Sequence, residues 1–284
     1  MRPRLFEKCI YCGSSGPLTR EHVIADWIKQ YFQKDQPFFT NEVIMPDGNR
    51  GLSQSKNVRA EKVTGDLWSQ KVKCVCNSCN NGWMSQIQNR AKFVLESILI
   101  PPTTSSAKFE LIQSELKTIV QWISMTTITQ DLAFGAHSAI SQGNRDCFYN
   151  TKFPPSFWKI WIGNYDGTGW TRKMRHTSGY YSINNGKWPE TPNMHVSTIA
   201  VPPLYMSVFS QQQDAVNYVC KHPGLVQIWP NVPLSITWPP SESITDDDAD
   251  QMAKFFHDML GKVERKLPNG LRRAKPSGQR FYQK

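Results

Sequence analysis

At 284 residues, 39% of them hydrophobic and 20% charged, the chain can bury a sizeable core and reads as globular, not disordered. No apolar run approaches the roughly 20 residues that span a bilayer. The leading MRPRLFEKCI lacks the apolar centre of a secretory signal, so a cytoplasmic protein without a membrane partner is expected. The net charge of +10 sits at the two ends: residues 1–97 carry 14 Lys/Arg against 9 Asp/Glu, residues 98–261 carry 11 against 13, and residues 262–284 carry 8 against 1. Ends of this kind attract a polyanion such as nucleic acid.

In chain order, Cys9-Ile-Tyr-Cys12-Gly13 predicts a tight metal-knuckle turn, with Gly13 supplying a positive φ. Leu18 to Ile24 predicts a short extended segment. Asp26 to Phe32 predicts a short helix with Trp27, Ile28 and Tyr31 on one face. Residues 34–66 are polar, with a turn signal at Pro46-Asp47-Gly48-Asn49, and read as an inserted hairpin that approaches substrate. Leu67 to Val75 predicts a strand. Asn80 to Ile98 predicts a helix, from the spacing of Trp83, Ile87, Ala91, Val94, Leu95 and Ile98.

Pro101-Pro102 and Thr103 to Ser106 mark the best domain boundary. Beyond it, Phe109 to Phe134 predicts a long amphipathic helix, and residues 150–240 predict an antiparallel sheet that includes Phe157 to Ile162 and Val196 to Val201. The tryptophans of that region read as sheet core, with base stacking as the alternative. Thr245 to Leu260 predicts a final helix opened by Asp246, Asp247 and Asp248. The expected class is α+β, divided into a module at 1–98 with the insertion at about 34–66, an α+β domain of unknown role at 107–261, and a basic tail at 262–284.

Seven cysteines in a reducing compartment point to metal binding rather than disulfides. Cys9-x-x-Cys12 and Cys76-x-x-Cys79 supply four thiolates, and a two-residue spacing lets both sulfurs of a pair face one ion. The 63 residues between the pairs are tolerable because loop-closure entropy grows slowly with length. Cys74 competes as a ligand through Cys74-x-Cys76, while Cys147 and Cys220 read as ordinary thiols. Glu21-His22 follows the first pair and Asn80 follows the second at once, with Asn81 as its rival. A carboxylate, an imidazole and an amide suit an open, oxygen-rich site for a hydrolytic divalent cation. The other histidines (His137, His176, His195, His222 and His257) are scattered and read as structural or surface residues.

Leu18-Thr-Arg-Glu21-His22-Val-Ile24 and Cys76-Asn-Ser-Cys79-Asn80-Asn81-Gly-Trp83 together resemble the HNH, or His-Me finger, endonucleases. They are most similar to the cysteine-bearing branch that includes phage Holliday-junction-resolving endonucleases. The resemblance covers about residues 5–97. It implies a zinc-stapled ββα-metal fold for that module, with Cys9, Cys12, Cys76 and Cys79 on a structural Zn²⁺. It further implies His22 as general base, and Glu21 and Asn80 as ligands of a catalytic Mg²⁺ or Mn²⁺. Cleavage of DNA phosphodiesters, usually leaving a 5′-phosphate, follows from the same likeness. Glu21 stands where the family more often has Asp, and Gln70 is the nearest amide to serve as the family's His-orienting Asn.

A metal-dependent DNA endonuclease is therefore expected, in a setting such as bacterial defence against phage. The alternatives are an RNA-cleaving enzyme and a non-catalytic zinc module that binds nucleic acid or protein. Arg20, Arg272 and Arg273 are candidate phosphate contacts, and the C-terminal domain is the candidate surface for a protein partner or a second copy.

Overall fold

The computed structural model describes residues 6–31, 38–46, 58–66, 70–100, 108–133, 135–169, 173–180, 189–211 and 222–253. Arg272 and Arg273, the rest of the basic tail, the boundary expected at 101–106 and the turn at 47–49 lie outside the described residues. The N-terminal part begins with a turn closed by Gly13 N–H donating to Cys9 O, with Gly13 at φ 71°. It continues into β1 (Leu18–His22) and a 3-10 helix at Asp26–Tyr31.

Strands β2 (Phe38–Pro46) and β3 (Val58–Asp66) pair antiparallel, as expected of a hairpin in the insertion. Next, β4 (Lys71–Cys76) returns antiparallel to β1, pairing Thr19 with Val75 and Arg20 with Lys73. Cys74 is the extra residue of that ladder, a bulge that turns both Cys74 and Val75 inward. A helical stretch follows at once: α1 (Asn77–Cys79), a π turn at Asn80–Met84, and α2 (Ser85–Leu99). Ile87, Ala91, Val94, Leu95 and Ile98 form the buried stripe of α2, at the spacing the sequence predicts.

The long helix begins later than expected. Phe109–Ile112 is a strand, β5, and α3 occupies Gln113–Leu132. Pairing of β5 with Ser235–Trp238 overrides the helical periodicity there, and Glu115 caps the new start by accepting Ile112 N–H at 2.9 Å. α4 (Gln142–Thr151) is capped by Ser141, whose hydroxyl accepts Asn144 N–H, and ends at Lys152 in the left-handed region with φ 61°.

Strands β6 (Lys159–Tyr165), β7 (Lys173–Gly179), β8 (Met194–Val201), β9 (Leu204–Gln211) and β10 (Leu225–Trp229) follow, with β11 (Ser235–Trp238) and β12 (Ser243–Ile244) after them. They build a sheet in the order β10-β6-β9-β8-β7-β2-β3, with β12 added beside β6. The pairs among β6 to β10 are antiparallel, whereas β2 lies parallel to β7. The hairpin of the insertion thus extends a sheet whose other strands lie beyond residue 150. Strands β8 and β9 are buried along their whole length, as a sheet covered on both faces requires.

One contiguous core runs from Cys9 to Trp238 and includes α2, α3 and one face of the sheet. The helical residues 246–253 cover Tyr165, Ala200 and Tyr205 in a second, smaller cluster. Trp158, Trp161 and Trp238 are core residues, which leaves them no free face for a base. Among the described residues no helix is long and apolar enough to cross a membrane.

The inner half of α3 is polar and sealed. Asp131, wholly buried, accepts the N–H groups of Ala139 (2.8 Å) and Ile140 (3.0 Å), the Ser138 hydroxyl, and His176 Nε2 at 3.0 Å. Burial alone would raise its pKa. The His176 and Ser138 hydrogen bonds outweigh that and hold it below the ordinary carboxylate range. His176 Nδ1 lies 2.7 Å from the Ser197 hydroxyl, and the His195 ring lies 5.2 Å away from that of His176. Burial, joined by His176, pushes His195 down to about 3, so it stays neutral. This network rivets α3 to β7 and β8, and both His176 and His195 are fully buried.

Candidate metal centre and the adjoining strand site

The sulfurs of Cys9, Cys12, Cys76 and Cys79 all lie within 4.8 Å of one another, with Cys12 Sγ 3.5 Å from Cys76 Sγ. This is a four-cysteine cluster close enough to hold one metal ion. Four thiolates within that span fit a tetrahedral zinc, whose Zn–S bonds are about 2.3 Å. Cys74 stays outside the cluster. Its side chain is buried in the core, and desolvation, then the charge of Glu21, pushes its thiol far up. That is the state of an inert interior thiol.

Local backbone geometry builds the cluster. Cys9 N–H donates to Ser14 O, and Ile10 N–H donates to Cys74 O at 3.0 Å, which docks the first knuckle on β4. Burial raises the Cys9 thiol, but backbone N–H groups of Cys12, Cys76 and Tyr11 outweigh it and bring the pKa down to about 7. Donors converging on a sulfur favour its thiolate.

α4, which sequence periodicity does not announce, clamps this knuckle from outside. Gln142 Nε2 donates to Ile10 O at 2.7 Å. Tyr11 meets Trp83 edge-on at 4.9 Å between ring centres, and Phe148 packs on both. The Lys152 ammonium sits 4.6 Å above the Trp83 ring and 4.4 Å from that of Tyr149. Its left-handed backbone at the end of α4 places that cation beside the thiolate cluster, where it offsets negative charge.

Strand β1 carries the other predicted residues. Alternation puts Thr19 and Glu21 on the inner face and Arg20 and His22 on the outer one, in agreement with an exposed Arg20 and with a buried Val72 opposite Glu21. Asn80 reaches this strand: its Nδ2 donates to Thr19 Oγ1 at 3.0 Å, and that hydroxyl donates to Val75 O at 2.9 Å. Oδ1 of Asn80 is left as a free oxygen donor. The rival Asn81 bonds Asn77 at 2.8 Å instead, on the exposed side of the helix.

Glu21 is half-buried and forms no hydrogen bond or ion pair with another described residue. Burial, reinforced by the charge of Asp26, pushes its carboxyl up to about 7. A carboxylate held in this way gains from a cation, so the donor chemistry fits a divalent metal; Asn80 bonds Thr19, two residues from Glu21 on the inner side of β1, and no hydrogen bond joins it to Glu21.

His22 Nε2 lies 3.4 Å from Asp26 Oδ1, and Lys29 Nζ lies 2.5 Å from the same oxygen. The contact becomes an ion pair when the imidazole is protonated. Burial lowers the His22 pKa against the raising effect of Asp26, which keeps the imidazole neutral near pH 7. The segment between them is fixed, since Val23, Ile24 and Ala25 are all buried. The predicted orienting residue, Gln70, does not touch His22. Its carbonyl accepts Val23 N–H at 3.1 Å, and its side-chain oxygen is buried without a partner. Asp26, four residues on, was legible only as the first residue of a helix.

Arg20 is exposed, and the register sets it directly opposite Lys73, with His22 opposite Lys71. Lys71 and Lys73 are exposed as well. No protein-family model matches the chain, and no curated protein or solved structure matches it either.

Proposed function

We propose that the protein is a metal-dependent endonuclease of the HNH, or His-Me finger, kind, hydrolysing phosphodiester bonds in DNA. The observation that carries this reading is the half-buried carboxylate of Glu21, without a hydrogen-bond or ion-pair partner among the described residues, next in sequence to a neutral His22 and on the strand that Asn80 holds through Thr19. The four-cysteine cluster takes a structural zinc that fixes the start of the Asn80 helix against β1.

Glu21 and Asn80 Oδ1 would hold a Mg²⁺ or Mn²⁺, which would supply charge stabilisation at the scissile phosphate and its leaving oxygen. Nδ1 of His22 takes the proton from the attacking water. Asp26 faces Nε2, holding the ring and stabilising the imidazolium formed by that transfer. Glu21 and His22 point to opposite faces of β1, and a phosphate meets both at the strand's end or at the edge that no described strand pairs.

The test is a cleavage panel on matched DNA and RNA, with Mg²⁺ or Mn²⁺, comparing the wild type with His22→Ala. The expected result is DNA cleavage that needs the added metal and disappears in His22→Ala while zinc content and unfolding stay unchanged. Cleavage surviving in His22→Ala would overturn the assignment. Cleavage of RNA alone would move it to the RNA-cleaving alternative.

A further inference from the structure

Strands β1 and β4 form a two-stranded sheet whose outer face is lined by cations set against cations. Arg20 stands directly opposite Lys73, and one step along the same face His22 stands opposite Lys71. Residues in register across an antiparallel pair project to the same side, so these four side chains form one block. Arg20, Lys71 and Lys73 are exposed, and among the described residues none of them forms an ion pair. Like charges directly opposite each other oppose strand pairing. A ladder this short gains nothing from such a pair in the free protein, whereas an anion seated across both strands removes the repulsion. The inner side of the same sheet has no such pattern, carrying Thr19, Glu21, Val72 and Val75.

We propose that this outer face is the phosphate-binding surface of the protein, gripping the sugar–phosphate backbone of a nucleic acid through Arg20, Lys73 and Lys71 and delivering it to His22. The occupant is a phosphodiester chain because three exposed cations grouped on one face suit a repeated anion. Arg20 contributes a planar fork suited to two phosphate oxygens, and the lysines act as point charges. The proposal rests on the phosphodiester reading of His22, though the surface and the chemistry fail separately.

The test measures binding of a DNA duplex in buffer without added Mg²⁺ or Mn²⁺, zinc left in place, across a range of salt concentrations. Three proteins are compared: the wild type; a triple variant of the β1–β4 pair, Arg20→Gln, Lys71→Gln, Lys73→Gln, called the hairpin variant; and a charge-matched control, Arg90→Gln, Lys92→Gln, Lys117→Gln, on helices α2 and α3. The hairpin variant is expected to lose at least tenfold in affinity, and its slope of log affinity against log salt to fall by about 2 to 3, near 0.9 per phosphate contact removed. The control is expected to keep the wild-type slope. Relief of the opposed charges predicts a thermal midpoint for the hairpin variant no lower than that of the wild type. The charge-retaining Arg20→Lys, Lys71→Arg, Lys73→Arg protein is expected to keep most of the binding.

Equal losses in both triple variants would overturn the proposal, because bulk charge would then explain the binding. So would an unchanged slope in the hairpin variant, or a wild type that binds no duplex. If the wild type cleaves DNA while the hairpin variant keeps its slope, the surface is wrong and the nuclease reading stands. If the slope falls as expected but no metal-dependent cleavage occurs, the surface stands and the nuclease reading is wrong.

Discussion

Three histidine–aspartate pairs occur among the described residues, and the fold treats two of them, His176–Asp131 and His22–Asp26, in opposite ways. His176 and Asp131 are both fully buried at 3.0 Å, and Asp131 takes further donors from Ser138, Ala139 and Ile140. His22 and Asp26 stand 3.4 Å apart with 23% and 60% of their side-chain surfaces exposed, beside a carboxylate that makes no hydrogen bond or ion pair with another described residue. A pair sealed among satisfied donors holds elements together and has no path to solvent. A pair at a strand end, with one ring nitrogen free, can exchange a proton with bound water. Burial and satisfaction, not residue type, separate the sealed pair from the one proposed to do chemistry.

Four predictions break or sharpen that contrast. The largest effect belongs to the scaffold beneath the open site. Cys79→Ser should abolish tight zinc binding and unfold the β1–β4 unit, since structural zinc contributes on the order of 10 kcal/mol to folding. Elemental analysis and thermal unfolding check this, and a zinc content equal to wild type would refute it. Next comes the sealed pair. Asp131→Ala should destabilise by about 3–5 kcal/mol in urea titration, because it strands a buried network. Asp26→Ala should change stability by less than about 1 kcal/mol, yet lower cleavage by about 10²-fold through loss of ring orientation. If both aspartates proved equal in stability, the contrast would fail.

The third prediction concerns pH. His195 has a folded pKa of about 3 against an ordinary 6.5, so the unfolded chain binds the extra proton between those values. Its contribution to stability is full above pH 6.5 and is lost progressively as pH falls toward 3. His195→Gln should flatten that decline in urea midpoints measured from pH 7 to pH 4. An unchanged slope would mean that His195 does not titrate as its burial requires. The smallest effect is expected from Thr19→Val, which removes the hydroxyl linking Asn80 to β4. It should destabilise by about 1 kcal/mol and raise the Mn²⁺ concentration needed for half-maximal cleavage.

Local pattern announced the parts of this molecule that depend on local spacing. The two knuckles, the buried stripe of α2 and the strand leading into Cys76 follow from periods of two and 3.6 and from paired cysteines. What stayed hidden depends on partners distant in sequence. Phe109–Ile112 is a strand only because Ser235–Trp238 lies beside it. β2 joins β7 in a parallel pairing that no turn between them encodes. Glu21, His22 and Asn80 of the proposed site were singled out by their spacing to the cysteines, and the structure places Glu21 and His22 on β1 and joins Asn80 to that strand through Thr19. Asp26 as the neighbour of His22 was not, because the bend at residues 23–24 that brings it there carries no periodic signal. Nor was the opposition of Arg20 to Lys73, which exists only once the register is known.

The most direct measurement of the central claim is the rate at which supercoiled DNA is nicked as Mn²⁺ is added, for the wild type beside Glu21→Gln and His22→Ala, all three at equal zinc content. The account predicts metal-dependent nicking by the wild type and loss of it in both variants, with duplex binding retained. Nicking of equal rate in Glu21→Gln, or none by the wild type at any Mn²⁺ concentration while it still binds duplex, would contradict it.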